Sequence, residues 1–269
     1  MNRLLSLVAL LVLAGASTTV SADNAADCRG KDLDLKIRGC TRIIASGGKG
    51  KMSLESAYAN RGWTYGEKGD TDRAIADLSE AIRLNPKNAH AFNNRGVAYS
   101  KKRDHDRALA DYDETIRLDR GYVRAYHNRG LIHAAKGDRD RAIADYDQAI
   151  RLDPSYVSAY QSRGYAYGTK GEHDRAIADY DQVIRLDPRH VNAYYNRGLS
   201  YRAKGDSDRA IADYDQVVRL DPANVRVYNS RGIAYAAKND FDRAIADYDH
   251  ALRLDGQNYH AVHNRGLAY

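Results

Sequence analysis

Residues Asp174–Asp187 read DRAIADYDQVIRLD, and near-copies begin at Asp72, Asp106, Asp140, Asp208 and Asp242, each 34 residues from the next. An Arg-Gly pair precedes each copy at constant distance: Arg61-Gly62, Arg95-Gly96, Arg129-Gly130, Arg163-Gly164, Arg197-Gly198 and Arg231-Gly232. A seventh pair is Arg265-Gly266. A fixed period of this length means one supersecondary repeat stacked many times, because a single copy cannot bury its apolar face alone. Within the stretch, Ala176, Ile177, Tyr180, Ile184 and Leu186 form the apolar stripe of a helix. Asp174 suits its N-terminus. Asp187-Pro188 ends it, since the residue before proline avoids helical backbone.

Upstream lies a second helical pattern over Val157–Lys170, with Val157, Tyr160, Gly164 and Tyr167 on one face. Lys170-Gly171-Glu172 breaks it, and glycine there takes the left-handed cap conformation. The register gives six full repeats, 55–88, 89–122, 123–156, 157–190, 191–224 and 225–258, with a truncated seventh at 259–269. Gly164 and Ala176 let two antiparallel helices approach closely, and the recurring tyrosines fill the gaps against the next repeat, so they are core. Arg163 and Asp179, with their counterparts, are placed to pair as a ladder along the repeats. The fold class is all-α.

Ahead of the array, residues 1–22 read as a signal peptide. Arg3 gives a positive start, Leu4–Ala16 an apolar core, and Val20-Ser21-Ala22 a cleavage site. The apolar run falls short of the roughly 20 residues that cross a bilayer, so export without stable membrane insertion is expected. Residues 23–54 hold a partial repeat: Asp34–Ser46 mimics the second helix, Cys40 stands in the tyrosine slot, and Gly47-Gly48-Lys49-Gly50 reads as an enlarged loop. Cys28 and Cys40 are the only cysteines. In an oxidising compartment they form a disulfide; otherwise they are two separate thiols, Cys40 filling a core slot.

The charge of +6 comes from 42 basic and 36 acidic side chains interleaved through every repeat. Nucleic acid would want them clustered, so it is not expected as a partner. The recurring Asp pairs, such as Asp145 and Asp147, read as a solvated helix face. No metal-ligand spacing, phosphate loop or nucleophile turn occurs, so no enzyme and no cofactor is expected.

These residues carry a resemblance. The aromatic, glycine, aromatic, alanine, aromatic and proline positions at Tyr160, Gly164, Tyr167, Ala176, Tyr180 and Pro188 recur through the array, and the chain resembles the tetratricopeptide repeat (TPR) family. Arg163 stands where the family usually has leucine. Arg120 and Gly256 replace two of the prolines. The resemblance implies a right-handed superhelix of antiparallel helix pairs whose first helices line a concave groove. It implies a non-catalytic scaffold binding protein or an extended peptide, in the periplasm or secreted.

Family positions put Asn60, Asn94, Asn128, Asn196 and Asn264 on that inner wall, with Ser162 and Ser230 at the same slot. This is similar to asparagine ladders that hold a peptide backbone, each amide donating and accepting at once. The other reading is that these asparagines cap or cross-link neighbouring helices. Arg124, His127, Tyr195, Arg202 and Arg226 differ from their counterparts in other repeats, so they carry selectivity, and the excess of cations favours an acidic segment. A polar, solvated channel without a fixed ligand is the alternative. Since the sequence stops at Tyr269, within a first helix, a second function stands beside the scaffold: the adaptor portion of a longer enzyme or envelope-assembly factor, such as a TPR-linked glycosyltransferase, with its effector beyond residue 269.

Overall fold

A computed structural model describes residues 24–48 and 52–268; the expected signal peptide and part of the enlarged loop lie outside them. The described residues are helices joined by short turns, an all-α helical repeat solenoid. The chain divides into two compact units, Met1–Ile132 and His133–Tyr269.

The first unit holds α1 (24–29), α2 (Leu33–Ala45), α3 (Leu54–Glu67), α4 (Thr71–Leu84), α5 (Ala89–Lys101), α6 (His105–Leu118) and most of α7 (Val123–Ala135). The second holds α8 (Arg139–Leu152), α9 (Val157–Thr169), α10 (His173–Leu186), α11 (Val191–Ala203), α12 (Ser207–Leu220), α13 (Val225–Ala236), α14 (Phe241–Leu254) and α15 (Tyr259–Ala268). Each helix packs on the next: α3 on α4 and α4 on α5 in the first unit, α9 on α10 and α10 on α11 in the second.

Close approach explains the glycine of the Arg-Gly pair. A Cβ on Gly96 would sit 2.7 Å from the Tyr112 ring, and one on Gly198 or Gly232 2.6 Å from Tyr214 or Tyr248. Tyr112, Tyr146, Tyr180, Tyr214 and Tyr248 are fully buried, which pushes their phenols up in pKa. Beside them lie alanines that the spacing argument passed over, Ala57, Ala91, Ala125, Ala159 and Ala193, all without exposed surface.

Three expectations are corrected. The stripe of α10 centres on Ala176, Tyr180 and Val183, while Leu186 is only half-buried. Asp174 does not cap α10: the helix begins at His173 and Asp174 lies in its first turn. The capping slot is two residues earlier, where Asp70, Asp104, Asp138, Asp206 and Asp240 each accept the backbone N–H of the arginine three residues on. The Asp pairs are only in part a solvated face: Asp113 and Asp181 are exposed, but the first member of each pair is not. Asp77, Asp111, Asp145, Asp179, Asp213 and Asp247 are all buried, because helix pairing turns the residue before the core tyrosine, or before Leu78 in the first repeat, inward.

At the N-terminal end Cys28 and Cys40 are joined as a disulfide, both without exposed surface, packed with Ala25, Ile43, Met52 and Ala57. The bridge ties the segment ahead of α2 to the partial repeat's helix, where a tyrosine would otherwise fill the gap.

Candidate functional site

Buried aspartates need partners, and the arginine of each Arg-Gly pair supplies them. Arg163 grips Asp179 through two bonds, Nε to Oδ2 at 2.9 Å and Nη2 to Oδ1 at 2.6 Å, and reaches back to Asp147 of the preceding repeat at 2.5 Å. Arg197 does the same with Asp213 and Asp181, and Arg231 with Asp247 and Asp215. In the first unit Arg61 and Arg95 hold Asp77 and Asp111, their third arm donating to Thr41 and Ser79. Each guanidinium thus joins three helices. Burial pushes the Asp111, Asp179 and Asp213 carboxyls up despite the arginines, which pull the other way. These charges hold the stack together; the site is elsewhere.

That elsewhere is the face of the first helices, α3 beside α5 in the first unit, and α9, α11, α13 and α15 side by side in the second. The asparagines expected there divide into two groups. Asn128 donates to Asn93 at 3.3 Å, and Asn264 to Asn229 at 2.9 Å, each reaching the first helix of the preceding repeat. Both amides therefore cross-link neighbouring helices. Asn60 points its amide at the Cys28 sulfur, 4.0 Å away. Asn94 accepts from Asn93 at 3.3 Å and leaves its own N–H₂ group without a partner among the described residues. The Asn196 side chain makes no hydrogen bond among them and lines a cleft.

The varied residues divide too. His127 is buried and Arg202 half-buried, while Arg124 and Arg226 are exposed. Tyr195 shares a hydrogen bond with Ser230 at 3.1 Å, and Arg226 lies over its ring at 4.6 Å. No carboxylate holds Arg124, Arg202 or Arg226 among the described residues.

Each unit has a cleft on this face. In the first, Trp63, Gly66, Leu78, Val97 and Ala98 form the floor of about 190 Å³, with Asn94, Lys101, Arg124 and Asn128 around it. In the second, Tyr165, Gly168, Tyr180 and Leu199 enclose about 170 Å³ beside Asn196. The two clefts occupy the same place in the repeat. Sequence reasoning placed Trp63 and Tyr165 on this wall with the rims, but missed Gly66 and Gly168 beneath them. The signal was there: an aromatic residue three before a glycine, Trp63-x-x-Gly66 and Tyr165-x-x-Gly168. Among the described residues no group of three or more His, Cys, Asp or Glu is placed to hold a metal ion, and no helix is long and apolar enough to cross a membrane.

A repeated helix pair with a buried tyrosine, a glycine beneath it and an open face of first helices defines a helical-repeat protein. The tetratricopeptide repeat model matches residues 60–123, 162–225 and 195–259, more than half of the chain, and a second TPR repeat model matches 130–171. The chain belongs to the tetratricopeptide repeat family. Among solved structures it is similar to YrrB, at 22% identity with TM-score 0.63 over 70% of this chain and 97% of that one. MamA is 28% identical with TM-score 0.58, covering 60% and 95%. The C-terminal part of a TPR protein from Cytophaga hutchinsonii is 20% identical with TM-score 0.69, covering 86% and 94%. No curated protein matches the chain in sequence.

Proposed function

We propose that the first-helix face of each unit binds an extended, acidic segment of a partner protein, without chemistry of its own. The chain is a TPR protein-interaction scaffold; the peptide reading is the finer step. It is carried by one contrast. Arg61, Arg95, Arg163, Arg197 and Arg231 each grip a carboxylate with two bonds, whereas Arg124, Arg202 and Arg226 present guanidinium groups that no carboxylate of the described residues holds. Such a group recognises a carboxylate bidentately, which suits Asp or Glu on a bound chain. Asn94 and Asn196 retain amide capacity for a peptide backbone. YrrB is described as a TPR protein with an unusual peptide-binding site, which agrees with this use of the fold. The expected signal peptide places the mature chain in a periplasm or outside the cell, with Asp23 as its first residue.

Replacing Asn94 and Asn196 together with alanine is expected to weaken peptide binding tenfold or more in a titration, with helical content unchanged, whereas Asn128→Ala should act on stability through its lost bond to Asn93. Arg124→Glu with Arg226→Glu should turn the preference from acidic to basic peptides. Unaltered affinity in both double variants would overturn the reading. Mass spectrometry of the chain expressed from its full sequence tests export: retention of Met1 would count against it.

A further inference from the structure

The two clefts exist because two helices carry glycine where nothing in the fold asks for it. Gly66 and Gly168 lie in the last turns of α3 and α9 with ordinary helical φ; the left-handed turns that follow belong to Gly69 (φ +81°) and Gly171 (φ +79°). Packing does not require them either. A Cβ on Gly66 would stand 3.8 Å from that of Ala74, and one on Gly168 3.9 Å from that of Ala176, ordinary contact distances. Other repeats place Ser100, Ala134, Arg202 and Ala236 at this position. Glycine within a helix costs up to about 1 kcal/mol against alanine, so the fold alone favours a side chain here.

The same two repeats, among the seven copies, carry an exposed aromatic three residues earlier. Trp63 is 38% and Tyr165 62% exposed, where the other copies have Val97, Leu131, Leu199, Ile233 and Leu267. An aromatic wall above a missing Cβ is a notch for a side chain, with Lys36 Nζ lying over the Trp63 ring at 4.3 Å. Its size agrees: a cavity of about 150 Å³ admits a benzene ring, and these hold about 190 and 170 Å³. Around the first notch stand Lys101, whose Nζ donates to the Gly66 carbonyl at 2.8 Å, and Arg124, against Glu67 alone. The lining of the second holds no Lys, Arg, Asp or Glu.

We propose that Gly66 and Gly168 are specificity-determining positions, each opening a notch that takes one bulky apolar side chain of a bound peptide, the first preferring an acidic neighbour beside it. This rests on the peptide-binding reading above and names what that peptide carries.

The test is selection from a phage-displayed library of random dodecapeptides by the full mature chain and by two double variants, Gly66→Ala with Gly168→Ala and Gly66→Leu with Gly168→Leu. The native chain should enrich sequences with Phe, Trp or Leu next to Asp or Glu. Synthetic copies should bind the leucine variant at least tenfold more weakly in fluorescence anisotropy. The alanine variant, with a narrower notch, should fall between the two while melting at or above the native temperature, which separates lost binding from lost fold. If enriched peptides share no bulky apolar position, or bind the leucine variant as well as the native chain, the notches are not the determinant and peptide binding itself stands. If the native chain enriches no peptide at all, both readings fall.

Discussion

Arg103 shows what one residue costs when a repeat drifts. At this turn four repeats use glycine with positive φ, Gly69, Gly137, Gly171 and Gly205, but Arg103 and Asn239 adopt φ 60° with a side chain attached. Asparagine tolerates that region; arginine does not. Arg103→Gly is therefore expected to stabilise the chain by about 1 kcal/mol, read as a higher melting temperature. The ladder gives the opposite sign. Asp213→Ala leaves Arg197 half-buried with only Asp181, and loss of one partner of a buried pair costs about 3 kcal/mol. Thermal melting of that variant checks the figure. Here sequence reading was half right. Arg163 and Asp179 were legible as a pair because both recur at fixed spacing, but a period cannot show which member of Asp145 and Asp147 faces inward. Only the helix partner decides that.

At the scale of the helix, α10 is the exception. It begins after Glu172, which makes no capping hydrogen bond, although it pairs with Arg175 as the aspartates of the other second helices pair with theirs. Glutamate's extra methylene carries its carboxylate past the backbone N–H that a shorter side chain reaches. Glu172→Asp should supply the missing cap and raise the melting temperature by roughly 2–4 °C, with Glu172→Gln as a control that should not. Helix existence and period were open to reading from the apolar spacing. The starts were not, because Asp occurs at both Asp70 and Asp72, and either could cap. The floors of the clefts escaped for a different reason: Gly66 and Gly168 mark a missing atom, and periodicity records only the side chains that are present.

Over the whole chain, the acid response follows from many surface carboxylates acting alike. The side-chain bond from the arginine three residues on holds Asp70, Asp104 and Asp240 below the usual range, and lysines of the next repeat do the same for Asp34, Asp140 and Asp174. Their pKa values are lower folded than unfolded. The stability they give is complete above the unfolded value of about 4 and is lost as pH falls through the folded one. Asp111, Asp179 and Asp213 run the other way: raised by burial, they bind protons more readily when folded and offset part of the loss. The depressed groups are more numerous, so the melting temperature should drop steadily as pH falls from about 4 to about 2. A flat profile across that window would contradict this balance.

The three-way grip of each arginine has an evolutionary corollary. Arg231 takes one carboxylate from its own hairpin and one, Asp215, from the hairpin before. Excise residues 191–224 and Asp181 arrives where Asp215 stood, with identical neighbours on either side. Copy number within the second unit can then lengthen or shorten by gene duplication and deletion without these joints being redesigned, since the seams at Arg163, Arg197 and Arg231 are cut to the same template.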